Sequence, residues 1–332
     1  MRSAITSTVA AAGAAILFTP AASALTIAIS NDDGWTAQGI QALKAALVAD
    51  HTVILVAPLD EQSASSAALN TATPALLVTK QADNGDDLEF SVATLASGGT
   101  EGGEPASSAL VALSIAPDAD LLVTGINSGA NIGAFTQISG TVGSATMGLN
   151  GTINQQVPAI AISSDDVCDV EELVDEGASE QEIADCDAEN QTHYEAVASF
   201  MAGFIDHLQT KPGFLAQEEG LLPVGVGLNI NYPPVANPKG VVVAAQGQTA
   251  ALGGAPFATK IGFGCYADCA GAPVGATIPA GINAFGEDER TDVKNSDTDY
   301  YIDGYITVVP FQIDYTAKAY LKFKSVLKGL NY

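Results

Sequence analysis

Leu25-Thr26-Ile27-Ala28-Ile29-Ser30-Asn31-Asp32-Asp33-Gly34 is the stretch that decides the fold. Residues 25–29 are short, partly β-branched and apolar in succession, as a strand buried on both faces must be. Asp32 and Asp33 follow at its C-terminal end, where open α/β sheets place their ligand crevice. Adjacent carboxylates repel, and a divalent cation would relieve that cost. The competing reading is a helix-capping turn with Asp as the N-cap.

Outward from this strand the chain alternates. Ile40 to Ala49 reads as an amphipathic helix, with Ile40, Leu43, Ala46 and Leu47 on one face. Thr52 to Ala57 is a second buried strand, closed by Pro58 and followed by the polar loop Asp60 to Ser66. Residues 81–105 are Gly- and acid-rich, predicting a hairpin edge or loop. Ser107 to Ala116 reads as a helix, Leu121 to Thr124 as a strand ending in Gly125-Ile126-Asn127, and Ala159 to Ser163 as a further strand. This order predicts an α/β fold: a Rossmann-like, doubly wound, mostly parallel sheet.

Residues 165–190 read as an acidic surface insertion, and His193 to Leu208 as a helix with His193 and His207 on its polar side. Val224 to Ile230 is another strand. From about 236 strand-like runs such as Val241-Val242-Val243 and Tyr305 to Val309 alternate with Gly-rich loops, and a last helix is expected from about Thr316 to Leu327. The division expected is a leader at 1–24, a catalytic core at 25–235 and a C-terminal extension of hairpins and helix at 236–332 used in oligomerisation.

The leader reading rests on Arg2, an apolar run from Ala4 to Phe18 too short to span a bilayer comfortably, and Ala22-Ser23-Ala24 as an A-x-A cleavage site. Export to the periplasm or the medium is expected, with Leu25 as the mature start. No other stretch suits a membrane span. The net charge of -26 repels nucleic-acid phosphates, so duplex DNA is not expected as a partner, although a small phosphorylated ligand is compatible. In an oxidising compartment Cys168–Cys186 and Cys265–Cys269 are the expected disulfides among three possible pairings. Asn150-Gly151-Thr152 and Asn190-Gln191-Thr192 are glycosylation sequons.

Polar groups gather at three strand ends. The first supplies Asp32 and Asp33, the second the loop with Ser63, and the third Asn127 with Asn131 four residues on. Carboxylate, hydroxyl and amide oxygens are hard ligands suited to Mg²⁺, Mn²⁺ or Ca²⁺. Ser139-Gly140-Thr141-Val142-Gly143 precedes a helical stretch, so its backbone N–H groups would form an anion site. A metal beside an anion cradle points to phosphoryl chemistry.

Taken in order, Ser30-Asn31-Asp32-Asp33-Gly34, Ala57-Pro58 with Gln62-Ser63, Gly125-Ile126-Asn127-Ser128-Gly129-Ala130-Asn131 and Ser139-Gly140-Thr141-Val142 resemble the SurE family of metal-dependent nucleotidases (survival protein E). Pro158 to Ser163, Leu228 to Pro233 and Gly304 to Pro310 extend the resemblance over nearly the whole chain after the leader. The resemblance implies a Rossmann-like core and a C-terminal extension swapped between subunits of a homodimer or homotetramer. It implies phosphatase activity on nucleoside 5′- and 3′-monophosphates, sometimes on short polyphosphate, with Mg²⁺ or Mn²⁺ as cofactor. It further implies Asp32, Asp33, Ser63 and Asn127 as metal ligands, with one carboxylate also acting as base or nucleophile. Asn131, Ser139, Gly140 and Thr141 would be the phosphate contacts. An acidic residue near the active-site mouth would map to Asp297, with Asp299 the competing choice. Ala134 to Ile138 departs from the family, which often has acidic residues and a Tyr there. The alternative function is an exported nucleotide- or metal-binding module without catalysis.

Overall fold

The computed structural model describes residues 23–314 except 86, 152–155, 211–220, 250–259, 266, 267, 269 and 286–291. The leader, Cys269 and the expected helix after Thr316 thus lie outside the described residues.

The apolar runs become the centre of the sheet. Strands β1 (Thr26–Ser30), β2 (Thr52–Pro58), β5 (Leu121–Ser128), β6 (Ala159–Ser164) and β7 (Val226–Asn231) lie parallel in the order β2-β1-β5-β6-β7. Side chains alternate between faces along each strand. Ile27, Ile29, Val53, Leu55, Leu121, Val123, Ile160 and Ile162 enter one core, with Ile40, Leu43 and Leu47 of α1 (Gln38–Leu47). Ala28, Ile54, Val56, Leu122, Ala159 and Ala161 enter the other, beneath α2 (Pro105–Ile115) and α3 (Gly140–Leu149). Both faces are covered, which is why these strands read as unbroken apolar runs.

Residues 76–94 form the hairpin β3 (Leu76–Asn84) and β4 (Asp87–Thr94), which extends the sheet beside β2. At the opposite edge the chain after 235 does not stand apart. Strand β11 (Ile306–Gln312) pairs antiparallel with β7, and β8 (Val241–Val243) pairs with β11, completing a nine-stranded sheet. The expected boundary at 235 therefore cuts through one sheet. Strands β9 (Lys260–Cys265) and β10 (Ala280–Phe285) form a separate antiparallel pair.

The acidic stretch 165–190, expected as a surface insertion, is mostly exposed and largely helical. It holds α4 (Val170–Asp175) and the first turns of α5 (Glu180–Thr210), joined by a Cys168–Cys186 disulfide with Cα atoms 5.5 Å apart. Asn190 is buried. Its Oδ1 accepts the N–H groups of Val167 and Cys168, and its Nδ2 donates to the Cys168 carbonyl, so this sequon serves as a clamp. His193, expected on the polar side, is 8% exposed. Burial lowers its basicity, and a ring nitrogen lies 2.6 Å from Ser164 Oγ.

Candidate active site

The chain leaves β1, builds β2 on one side, and later returns as β5 on the other. That reversal opens a crevice at the strand C-termini between β1 and β5, where doubly wound folds bind ligands. Asp32 and Asp33 lie on one lip and Asn127 on the other. β5 shifts register against β6 between Thr124 and Asn127. α1 fits beneath this bulge because residue 39 is glycine: a Cβ there would lie 2.1 Å from the Ile126 carbonyl oxygen.

Asp32 is 3% exposed, and its Oδ1 accepts the Thr141 hydroxyl at 2.6 Å. Burial pushes its carboxyl up to about 6 despite that bond, with Glu61 adding to the rise. Asp33 is pushed further in the same direction by burial, then by Asp32 and Glu61. Without a cation the pair retains protons that exposed carboxylates would have lost.

Two of the occluded side-chain oxygens that lack a partner among the described residues belong to the lips of this crevice. Asp33 Oδ2 and Asn127 Oδ1 are each occluded from solvent and unpartnered. The Asn127 Nδ2 is turned away, donating to the Gly129 carbonyl at 2.5 Å. Buried acceptors normally find a donor, and these two would be satisfied by a cation. Among the described residues no three His, Cys, Asp or Glu side chains cluster closely enough to hold a metal. Two carboxylates with an amide oxygen are a donor set that fits a hard divalent ion. Ser63 sits on the exposed loop after β2, whose Gln62 N–H donates to the Asp32 carbonyl at 2.8 Å.

Across Asp32 stands the N-terminus of α3. Ser139 is its N-cap and accepts the Val142 N–H at 3.0 Å. The N–H groups of Gly140 and Thr141 precede the first intrahelical bond, and that of Thr141 is directed at the Asp32 carboxylate, whose charge it helps to stabilise. Gly140 is required by contact: a Cβ would lie 2.6 Å from Asp32 Oδ2 and 2.9 Å from Asp32 Cβ.

Asn131, expected as a phosphate contact, is bonded within the protein. Both protons of its Nδ2 are committed, to Thr141 Oγ1 at 3.2 Å and Ser163 Oγ at 2.8 Å. Its backbone is held by β7: Asn231 Oδ1 accepts its N–H at 2.7 Å, and Asn229 Nδ2 donates to its carbonyl at 2.8 Å. Sequence reasoning gave Asn229 and Asn231 no role. The available signal was two asparagines at strand spacing, which share a face inside an otherwise apolar strand.

Asp297, expected at the mouth, is wholly buried at the start of α6 (Asp297–Ile302). Its carboxylate accepts the N–H groups of Gly133 at 3.2 Å and Gly247 at 2.7 Å. It thereby ties the short 3-10 turn Gly133–Gln137, which leads into α3, to the C-terminal part of the chain. Asp166 is a further unforeseen neighbour. It accepts Tyr194 and Ser128 hydroxyls at 2.5 and 2.8 Å, and its charge helps hold the Asp33 carboxyl high.

Residues 27–252 match the family model described as Survival protein SurE. A protein of Actinobacillus succinogenes named 5′-nucleotidase SurE is 30% identical over 297 residues, covering 88% of this chain and 94% of that one. The protein of the same name from Aeromonas hydrophila is 30% identical over 295 residues, covering 88% and 93%. The crystal structure of the SurE protein from Aquifex aeolicus superposes with a TM-score of 0.60 at 24% identity, covering 91% of this chain and 98% of that one, which shows the same fold. With the matched segment spanning both lips of the crevice and the α3 cradle, the chain belongs to the SurE family.

Proposed function

We propose that this chain is a divalent-metal-dependent phosphomonoesterase that hydrolyses nucleoside monophosphates to nucleoside and phosphate. Two relatives named 5′-nucleotidase SurE support the 5′-monophosphates as the main class. The 3′-monophosphates and short polyphosphate complete the proposed range. The observation that carries the reading is the pair of occluded, donorless oxygens, Asp33 Oδ2 and Asn127 Oδ1, at the strand ends across from which α3 begins.

Asp32, Asp33 and Asn127, with Ser63 from the loop, would hold Mg²⁺ or Mn²⁺. When bound, the ion supplies Lewis-acid polarisation of a phosphoryl oxygen. The chain's own groups do the rest. The Gly140 N–H and the Ser139 O–H, at the start of α3, seat the non-bridging oxygens. Thr141, fixed by Asn131, holds Asp32 in place. Of the carboxylate pair, Asp33 takes the proton of the attacking water. The bond from water oxygen to phosphorus forms, the bond to the nucleoside oxygen breaks, and that oxygen leaves with a proton from solvent.

Phosphate release should be measured from nucleoside monophosphates, p-nitrophenyl phosphate and polyphosphate, in EDTA and after Mg²⁺ or Mn²⁺ is restored. Activity should return with metal, and Asp33→Asn should lower kcat by at least about a thousandfold while keeping its circular dichroism. Folded wild-type protein that releases no phosphate with any metal would leave a binding module as the function.

Export belongs to the same proposal. It is supported by the leader pattern and by the Cys168–Cys186 disulfide. The intact mass of protein recovered outside the cytoplasm should correspond to a start at Leu25. We also propose a symmetric homodimer or homotetramer joined through segments after 235, which light scattering on the purified protein would test.

A further inference from the structure

The loop after β2 is docked on the start of α3 at its far end. Ser66 N–H donates to the Ile138 carbonyl at 3.1 Å, and Ser66 Oγ donates to the Gln137 carbonyl at 3.0 Å. At its near end Gln62 is bonded to Asp32. Between these anchors the backbone takes a costly path. Ala64 (φ 59°) and Ser66 (φ 52°) both adopt the left-handed conformation without being glycine. The residue between them is Ser65. Its hydroxyl is occluded from solvent and has no hydrogen-bond partner among the described residues. It borders the space in front of Gly140: a Cβ built there would lie 3.0 Å from Ser65 Oγ and 2.6 Å from Asp32 Oδ2. Ser65 Oγ thus faces Asp32 across the first residue of the anion cradle.

We infer that Ser65 is a substrate-contacting residue whose hydroxyl donates to a non-bridging oxygen of the bound phosphoryl group. A buried hydroxyl without a partner costs free energy unless a ligand supplies the acceptor. Asp32 Oδ1 is already engaged by the Thr141 hydroxyl, and the N-terminus of α3 beside it favours an anion at this point. Ser65 then closes the cradle from the side opposite the helix and gives the anion an O–H donor from a loop that the helix itself holds. This assignment rests on the phosphomonoesterase reading for its substrate, but its core claim concerns phosphate binding.

The test uses full-length mature protein loaded with Mn²⁺ or Mg²⁺. Two readouts apply to wild type, Ser65→Ala and the near-isosteric Ser65→Cys: the dissociation constant of inorganic phosphate by calorimetry, and KM and kcat for 5′-AMP. Ser65→Ala should weaken phosphate binding and raise KM about tenfold, with kcat less affected and the melting temperature retained. Ser65→Cys should fall between the two, and it carries the test if the alanine variant folds poorly. Unchanged phosphate affinity in a folded variant overturns the assignment of Ser65. Wild type that binds phosphate through Ser65 but does not hydrolyse 5′-AMP upholds Ser65 and overturns the esterase reading instead. Wild type that neither binds phosphate nor turns over overturns both.

Discussion

Asp32 couples the chemistry of the site to the stability of the fold. Its carboxyl sits near 6 against an ordinary value of 3.8, chiefly because burial penalises the charged form. The folded chain therefore binds this proton more tightly than the unfolded chain. Stability of the metal-free protein is greatest below pH 4 on this account and falls as pH rises through about 6, by roughly 3 kcal/mol in total. Urea unfolding in EDTA between pH 4 and 7 should show this decline relative to Asp32→Asn, and a constant difference between the two proteins would refute it. Saturating Mn²⁺ should abolish the decline, because the ion binds the ionised carboxylates. The carboxylate pair was legible in the sequence because two acids at the end of an apolar strand have no structural use for each other. Asn229, Asn231 and Asp166 were not, because their value lies in partners 98, 100 and 38 residues away.

At the level of elements, α3 is the decisive piece. It is built from Gly, Ser, Thr and Ala with few large side chains, and nearly all of it is buried. Small residues let its N-terminus reach Asp32. Gly140→Ala should push the helix away from Asp32 and lower kcat/KM about a hundredfold, with a stability loss of about 1–3 kcal/mol. A variant with near-normal kcat/KM would show that the close approach is dispensable. The Gly-rich turn announced the cradle, but the other long helix was only half visible. The acidic residues of 180–190 hid the start of α5, although Cys186, Asn190, His193, Val197 and Met201 form an inward stripe at helical spacing. The disulfide supplies at Cys186 the anchoring that apolar burial supplies further along.

For the whole molecule the dominant fact is charge. A net -26 is opposed by ion pairs of Lys44 with Glu89 and Lys80 with Asp83 among the described residues. Self-repulsion of this size weakens the folded state and is screened within about 10 Å at 0.1 M salt. The melting temperature should rise by several degrees between roughly 10 mM and about 0.5 M NaCl, and a fall would mean that repulsion is not the limiting force. The parallel centre of the sheet could be read from its apolar runs. The insertion of β11 between β7 and β8 could not, since strands paired across some 80 residues leave no local trace. Asp297 gives that distant pairing a practical meaning. Its carboxylate reaches from the last third of the chain to Gly133, just ahead of the cradle. A fragment ending at 235 would retain Asp32, Asp33, Asn127 and Thr141, yet lose the tether that fixes the approach to α3 and the strand that flanks β7. For this protein a minimal catalytic fragment is not a shorter one: chemistry encoded in the first half of the gene is held in shape by the second.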